Sequence, residues 1–222
     1  MNTPSRSVQR LGALGIVYAV LYVVASAFTL NVPQTGAGAP QVITYYSSHF
    51  APITAFIFLT IAGSVVFLFF LGSLRRALDL SGESRVLSSV VTAGGAVYAG
   101  GLLVSAVLAN ALLDAGHYHS AAASAINVIA ANDWAPVVAG LSAVSLGTGV
   151  VALRGGGLPR WLAWASIVLG VLAVAGPLGE AALWITPLWS VTVGITLMRS
   201  SGRAPANPSA DPSLATTAQR SD

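Results

Sequence analysis

The side chains able to do chemistry in this chain are few. Leaving aside the residues near its Arg clusters and in its C-terminal tail, six ionisable groups remain: His49, Asp114, His117, His119, Asp133 and Glu180. Imidazole and carboxylate are the ligands that divalent metals take, and two His suffice for a b-type haem. Two readings follow from the same six residues: a metal or haem layer, or polar groups that sit where water begins. No established ligand motif is complete, and His117-X-His119 sets its two rings on opposite faces if that stretch is helical. The default expectation is therefore no cofactor and no catalytic residue, with a metal or haem site as the alternative. The chain has no Cys, which excludes thiolate zinc sites, iron–sulfur clusters, a Cys nucleophile and disulfides. Gly155-Gly156-Gly157 lacks the Lys-Ser/Thr of a phosphate loop, and the glycines between 94 and 101 follow no strand pattern, so neither reads as a nucleotide cradle.

The elements that must carry these groups are set by composition. Of 222 residues, 55% are hydrophobic and only 8% charged, against roughly 25% charged in an ordinary soluble domain. So little polar surface excludes a soluble globular enzyme and implies that the outside faces lipid. A helix needs about 20 apolar residues to cross a hydrocarbon core of about 30 Å. Six uncharged runs approach or reach that length, at 11–30, 51–71, 86–107, 135–153, 161–178 and 181–198. The expected fold is an all-helical transmembrane bundle over residues 1–199, with a disordered cytoplasmic tail over 200–222 that is rich in Ser, Ala, Pro and Thr.

Orientation follows from Arg, because the chain has no Lys. Its ten Arg residues form four clusters: Arg6 and Arg10; Arg75, Arg76 and Arg85; Arg154 and Arg160; Arg199, Arg203 and Arg220. With six spans every cluster falls on one side, which the positive-inside rule makes cytoplasmic, giving N-in and C-in. The net charge of +3 then reflects juxtamembrane Arg and carries no expectation of nucleic-acid binding. Trp134, Trp161 and Trp164 fall at interfacial depth, and Trp189 lies deeper, where it should pack against a neighbouring helix. Residues 1–27, with Arg6 and Arg10 before an apolar stretch and Ala25-Ser26-Ala27 after it, also resemble a cleavable signal peptide. The apolar run continues to Leu30, a full membrane length, so a retained first span is expected.

Small residues at four-residue spacing in the third run, Gly95 with Ala99, Ala96 with Gly100 and Gly101 with Ser105, predict close helix packing and a central place for that helix. No ionisable group lies at the middle of any run, which weighs against an ion-coupled transporter. Pro177 and Pro187 read as ordinary kinks, and 120–132 as a short surface helix or connector. Counting from the Arg clusters places His49, Asp114, Asp133 and Glu180 at one outer depth.

Three patches carry a resemblance. Tyr45-Tyr46-Ser47-Ser48-His49, Phe70-Leu71-Gly72-Ser73-Leu74-Arg75-Arg76-Ala77-Leu78 and Leu158-Pro159-Arg160-Trp161-Leu162-Ala163-Trp164 resemble an uncharacterised family of small bacterial multi-pass membrane proteins of about six helices, a domain of unknown function. The resemblance implies a bacterial cytoplasmic-membrane location and brings no catalytic residue. The expected function is that of a non-enzymatic accessory, sensory or interaction protein, partnered by the lipid bilayer and by another membrane protein or a second copy. The alternative is a membrane redox or metal protein, with a small-solute transporter behind both.

Overall fold

The computed structural model describes residues 5–79, 85–155, 158–176 and 178–200. The expectations placed on Gly156 and Gly157, on Pro177 and on the tail over 201–222 lie outside them. The described chain is helical throughout: α1 (Ser5–Ala27), α2 (Ala39–Ser48), α3 (Phe50–Asp79), α4 (Arg85–His117), α5 (Ala123–Ala130), α6 (Trp134–Gly155), α7 (Arg160–Val174) and α8 (Leu178–Ser200). Four stretches are long and apolar enough to cross a membrane: Phe50–Asp79, Val86–His117, Ala123–Gly155 (α5, a turn and α6) and Leu178–Arg199. Gly12–Ala27 and Arg160–Val174 are shorter apolar helices.

The long helices form a closed ring. Around it α1 packs on α3, α3 on α4, α4 on α6, α6 on α7, α7 on α8, and α8 returns to α1. Neighbours run antiparallel, as their registers show. Gly12 lies against Gly194 and Gly15 against Ser190; Gly94 meets Ala143 while Gly101 meets Val137; Gly149 meets Ala163 while Gly170 meets Leu146. Alternation therefore gathers Arg75, Arg76, Arg154, Arg160 and Arg199 at one end of the ring. The outward faces are apolar, with Phe58, Phe69, Val107 and Leu188 each more than 60% exposed. In water such a surface would be prohibitive, and in lipid it is ordinary.

Close crossings hold the ring. A Cβ at Gly101 would stand 2.7 Å from Val137 Cγ2 and 2.9 Å from the Val137 backbone nitrogen, so only hydrogen fits between α4 and α6 there. A second crossing, α1 on α8, uses Gly12 and Gly194 in the same way: a Cβ at Gly12 would lie 2.8 Å from the Gly194 carbonyl oxygen. Polar ties are few and buried. Ser190 donates to the Gly15 carbonyl at 3.2 Å, and Trp189 Nε1 donates to Ser166 Oγ at 2.9 Å, joining α8 to α1 and to α7.

The Arg-bearing half is filled by a buried cluster that includes Tyr18, Phe67, Phe70, Leu71, Leu74, Val91 and Tyr98. A smaller cluster of Val42, Tyr46, Ile53, Ile57, Ala106, Leu112 and Ala123 ties α2 and α5 onto the opposite ends of α3 and α4. The connections at that end are thus more helical than polarity suggests. Pro40, in the first turn of α2, lacks an N–H in a place where helices leave N–H groups unpaired, and α4 continues ten residues past 107 through the good helix formers Leu108, Ala109, Ala111, Leu112 and Leu113.

Candidate functional site

Between the two clusters the ring is hollow. A cavity of about 260 Å³ opens there, walled by five of the six ring helices. Tyr18, Tyr22 and Ser26 come from α1, Phe56, Leu59 and Thr60 from α3, Leu102 and Ser105 from α4, Trp134 and Val137 from α6, and Glu180, Leu183 and Trp184 from α8. Asp133, in the turn just before α6 and outside its apolar run, completes the wall. Tyr18, on that wall, is fully buried, and its hydroxyl hydrogen-bonds to that of Tyr98, also fully buried, with the Phe67 ring 4.9 Å from both. Each hydroxyl satisfies the other, which is how two phenols are tolerated in an apolar interior.

Asp133 is half-buried. Burial pushes its carboxyl up from the ordinary carboxylate range, while the Ser105 hydroxyl and its own backbone N–H, as hydrogen-bond donors, pull the other way. It also lies on the wall of a second cavity of about 250 Å³ beneath α2 and α5. There Asn127 Nδ2 donates to the Gln34 carbonyl at 3.0 Å, fixing α5 to the segment before α2. Glu180 is exposed, in the first turn of α8. It borders a third opening as well, of about 630 Å³, with Trp134, Val138 and Leu183. The two carboxylates are thus the acidic groups on the wall of the central cavity, and no basic residue lines it.

The remaining four residues of the expected outer layer lie elsewhere. His49 closes α2: its Nδ1 lies 2.9 Å from the Tyr45 carbonyl oxygen and its ring stacks on Tyr45 at 4.2 Å. Asp114 is exposed on α4, 3.5 Å from Asn110 Nδ2. His117 is exposed, packed edge-on against Tyr118 at 4.8 Å. His119 ends α4 in the left-handed conformation, with φ of 50°, beside a 2.9 Å bond from Ser120 N–H to the Ala115 carbonyl. That is a helix-terminating turn in which Gly is the usual occupant. Two of the three histidines therefore serve helix ends. Among the described residues no group of three or more His, Asp or Glu is placed to hold a metal ion, and the one ion pair is Arg75–Asp79 at 3.6 Å.

Sequence reasoning missed the hydroxyl lining. Thr60 is 8% exposed and stands on the cavity wall, and neither its hydroxyl nor that of Tyr22 makes a hydrogen bond among the described residues. The signal was present in part: Tyr18 and Tyr22 at four-residue spacing, with Thr60 four residues before Ser64, put polar atoms inside apolar runs. No protein family, curated protein or solved structure was found to match the chain.

Proposed function

We propose that this chain is a six-span protein of the bacterial cytoplasmic membrane, N-in and C-in, that acts as a non-enzymatic sensory or accessory component by receiving a small ligand in its outward-facing cavity. The observation that carries the reading is that cavity: five helices converge on it, two carboxylates stand on its wall, and its Thr60 and Tyr22 hydroxyls are unpartnered. The antiparallel ring supports six spans, because the two shorter helices are full members of it. It also supports a retained first span. Cleavage after Ala27 would remove Tyr18, the partner of Tyr98, and one wall of the cavity.

The test is thiol labelling in intact cells, for which the Cys-free chain is a clean background. A single Cys in place of Gly38 or Ala122 is expected to react with an impermeant reagent from outside, and one in place of Ser81 or Gly156 is not. Ser26→Cys, on the cavity wall, is expected to react, whereas Val23→Cys, half-exposed on the lipid face of the same helix, is not. Labelling of Ser81→Cys, or an inert Ser26→Cys thiol beside a reactive Gly38→Cys thiol, overturns the reading. A Soret band or stoichiometric metal in the purified protein would replace it with the redox or metal alternative.

A further inference from the structure

Resting on the reading of the cavity as a ligand site, we propose that its ligand is a compact organic cation, an amine or quaternary ammonium group carrying an apolar body, held between Asp133 and Glu180. Three independent features converge on that chemistry. The first is charge: two carboxylates from different elements line one small cavity, no basic side chain lines it, and neither carboxylate is ion-paired among the described residues. An anion would meet only repulsion there, and a neutral ligand would leave the half-buried Asp133 carboxylate uncompensated.

The second is the set of hydroxyls. Thr60 is more than nine-tenths buried and stands on the cavity wall, and among the described residues neither its hydroxyl nor that of Tyr22 makes a hydrogen bond. Groups so placed call for an occupant that accepts or donates, whether an ammonium N–H or water carried around it. The third is the wall itself. Phe56, Leu59, Leu102, Val137 and Leu183 are apolar, which suits hydrocarbon, and Trp134, Trp184 and Tyr22 bring to the wall the aromatic rings that attract cations.

The same features weigh against a bare metal ion. Hard divalent cations take six or more oxygens, and transition metals want imidazole, yet the three histidines do not line this cavity and no metal-holding group occurs among the described residues. An organic ammonium needs fewer ligands and gains from the apolar wall. Such a group can come from a free solute or from the headgroup of an aminophospholipid in the outer leaflet, and the cavity borders an opening between α6 and α8 that also includes Glu180.

The experiment uses the full chain carrying Ser26→Cys, purified in detergent, with benzyltrimethylammonium as the probe. The probe is expected to slow modification of the introduced thiol, and its neutral carbon isostere neopentylbenzene is not. Asp133→Asn and Glu180→Gln should each weaken that protection by roughly tenfold, whereas Asp114→Asn, an exposed carboxylate off the cavity, should leave it intact. A cationic methanethiosulfonate should also outpace an anionic one on the Ser26→Cys protein, by a larger ratio than on the Gly38→Cys protein. To separate the two sources, labelling of Ser26→Cys is compared in bilayers of phosphatidylglycerol alone and with phosphatidylethanolamine. Slower labelling with the amine lipid identifies the headgroup as occupant, and equal labelling with protection by the soluble probe identifies a free solute.

Protection by neopentylbenzene equal to that by the cation, or protection that survives both Asp133→Asn and Glu180→Gln, overturns the cation proposal and leaves the cavity reading standing. Protection by zinc or calcium but not by the ammonium overturns it in favour of a metal. A thiol at position 26 that no reagent reaches overturns the cavity reading itself. Glu180→Gln lies on an exposed first turn and removes no packing, so its folded yield keeps the test interpretable if Asp133→Asn folds poorly.

Discussion

Along α3, Phe67, Phe70, Leu71 and Leu74 are almost wholly buried against Tyr18, Tyr98 and their neighbours, whereas two turns earlier Phe56, Leu59 and Thr60 stand on the wall of an open cavity. The contrast holds around the ring. Towards the Arg-bearing end the helices meet through large side chains and glycine crossings; towards the opposite end the same helices diverge around space, and α2 and α5 pack over the ends of α3 and α4. Dispersion in lipid rewards close contact, with no hydrophobic drive to compensate for a void. An unfilled half is therefore a structural liability that needs a use, and the filled half is what lets the fold tolerate it.

The sharpest way to break the contrast is to force the crossings apart. Gly101→Leu sets a side chain against the Val137 backbone, and Gly95→Leu sets one against Leu71. Gly101→Leu is expected to lower stability in detergent by about 3 kcal/mol or more, because the Val137 backbone must yield, and Gly95→Leu by about 1–3 kcal/mol, because it meets only the end of the Leu71 side chain. Leu103→Ala, 38% exposed on the outer face of the same helix, should cost less than about 1 kcal/mol. Thermal unfolding followed by gel filtration measures both. If both glycine variants are as stable as wild type, α4 is peripheral and the packed half does not hold the molecule.

How much of this was legible depends on which physics each feature uses. Apolar length and the Arg clusters reveal helices and a membrane because burial in lipid acts on each segment separately. Gly95 and Gly101 are readable as contact points on α4 because their spacing lies within one helix. The matching role of Gly12 and Gly194 was not drawn from the sequence, since that crossing pairs residues on two helices far apart in the chain. Depth placed His49, Asp114, Asp133 and Glu180 in one layer, but depth is one coordinate. Lateral order comes from ring closure, and only the ring shows that Asp133 and Glu180 share a cavity while His49 closes α2 and Asp114 stands on the exposed face of α4. Helix α5 falls within 120–132, readable as a short surface helix or connector, whereas α2 escaped because hydropathy marks the membrane, not the end of helical structure.

The boundary between the two halves is the Tyr18–Tyr98 pair, and it can be tested separately. Removing one hydroxyl strands the other in an apolar setting, so Tyr18→Phe or Tyr98→Phe should each destabilise by about 1–3 kcal/mol. The double Phe variant should recover most of that loss, because no unsatisfied hydroxyl remains. Additive losses in the double variant would mean that the hydroxyls act independently, each satisfied by water. The pair would then belong to the hollow half.

The smallest expected effect concerns the hollow half alone and distinguishes a structural carboxylate from one retained for binding. Burial raises the Asp133 carboxyl, so folding favours its neutral form. In acid below the unfolded carboxyl range the group is protonated in both states and costs nothing. As pH rises from the unfolded carboxyl range towards the higher folded value, the unfolded state ionises first and the penalty on folding grows, becoming complete once the half-buried folded group has ionised too. Asp133→Asn, which stays neutral, should therefore be more stable than wild type at neutral pH and converge with it in acid. Melting temperatures of the two proteins in detergent, followed from neutral pH down into acid, measure how the gap closes. A variant less stable than wild type at neutral pH would mean that the carboxylate supports the fold, through Ser105 and the start of α6. The expected result is the reverse, with benzyltrimethylammonium narrowing the gap at neutral pH by stabilising only the protein that keeps its charge.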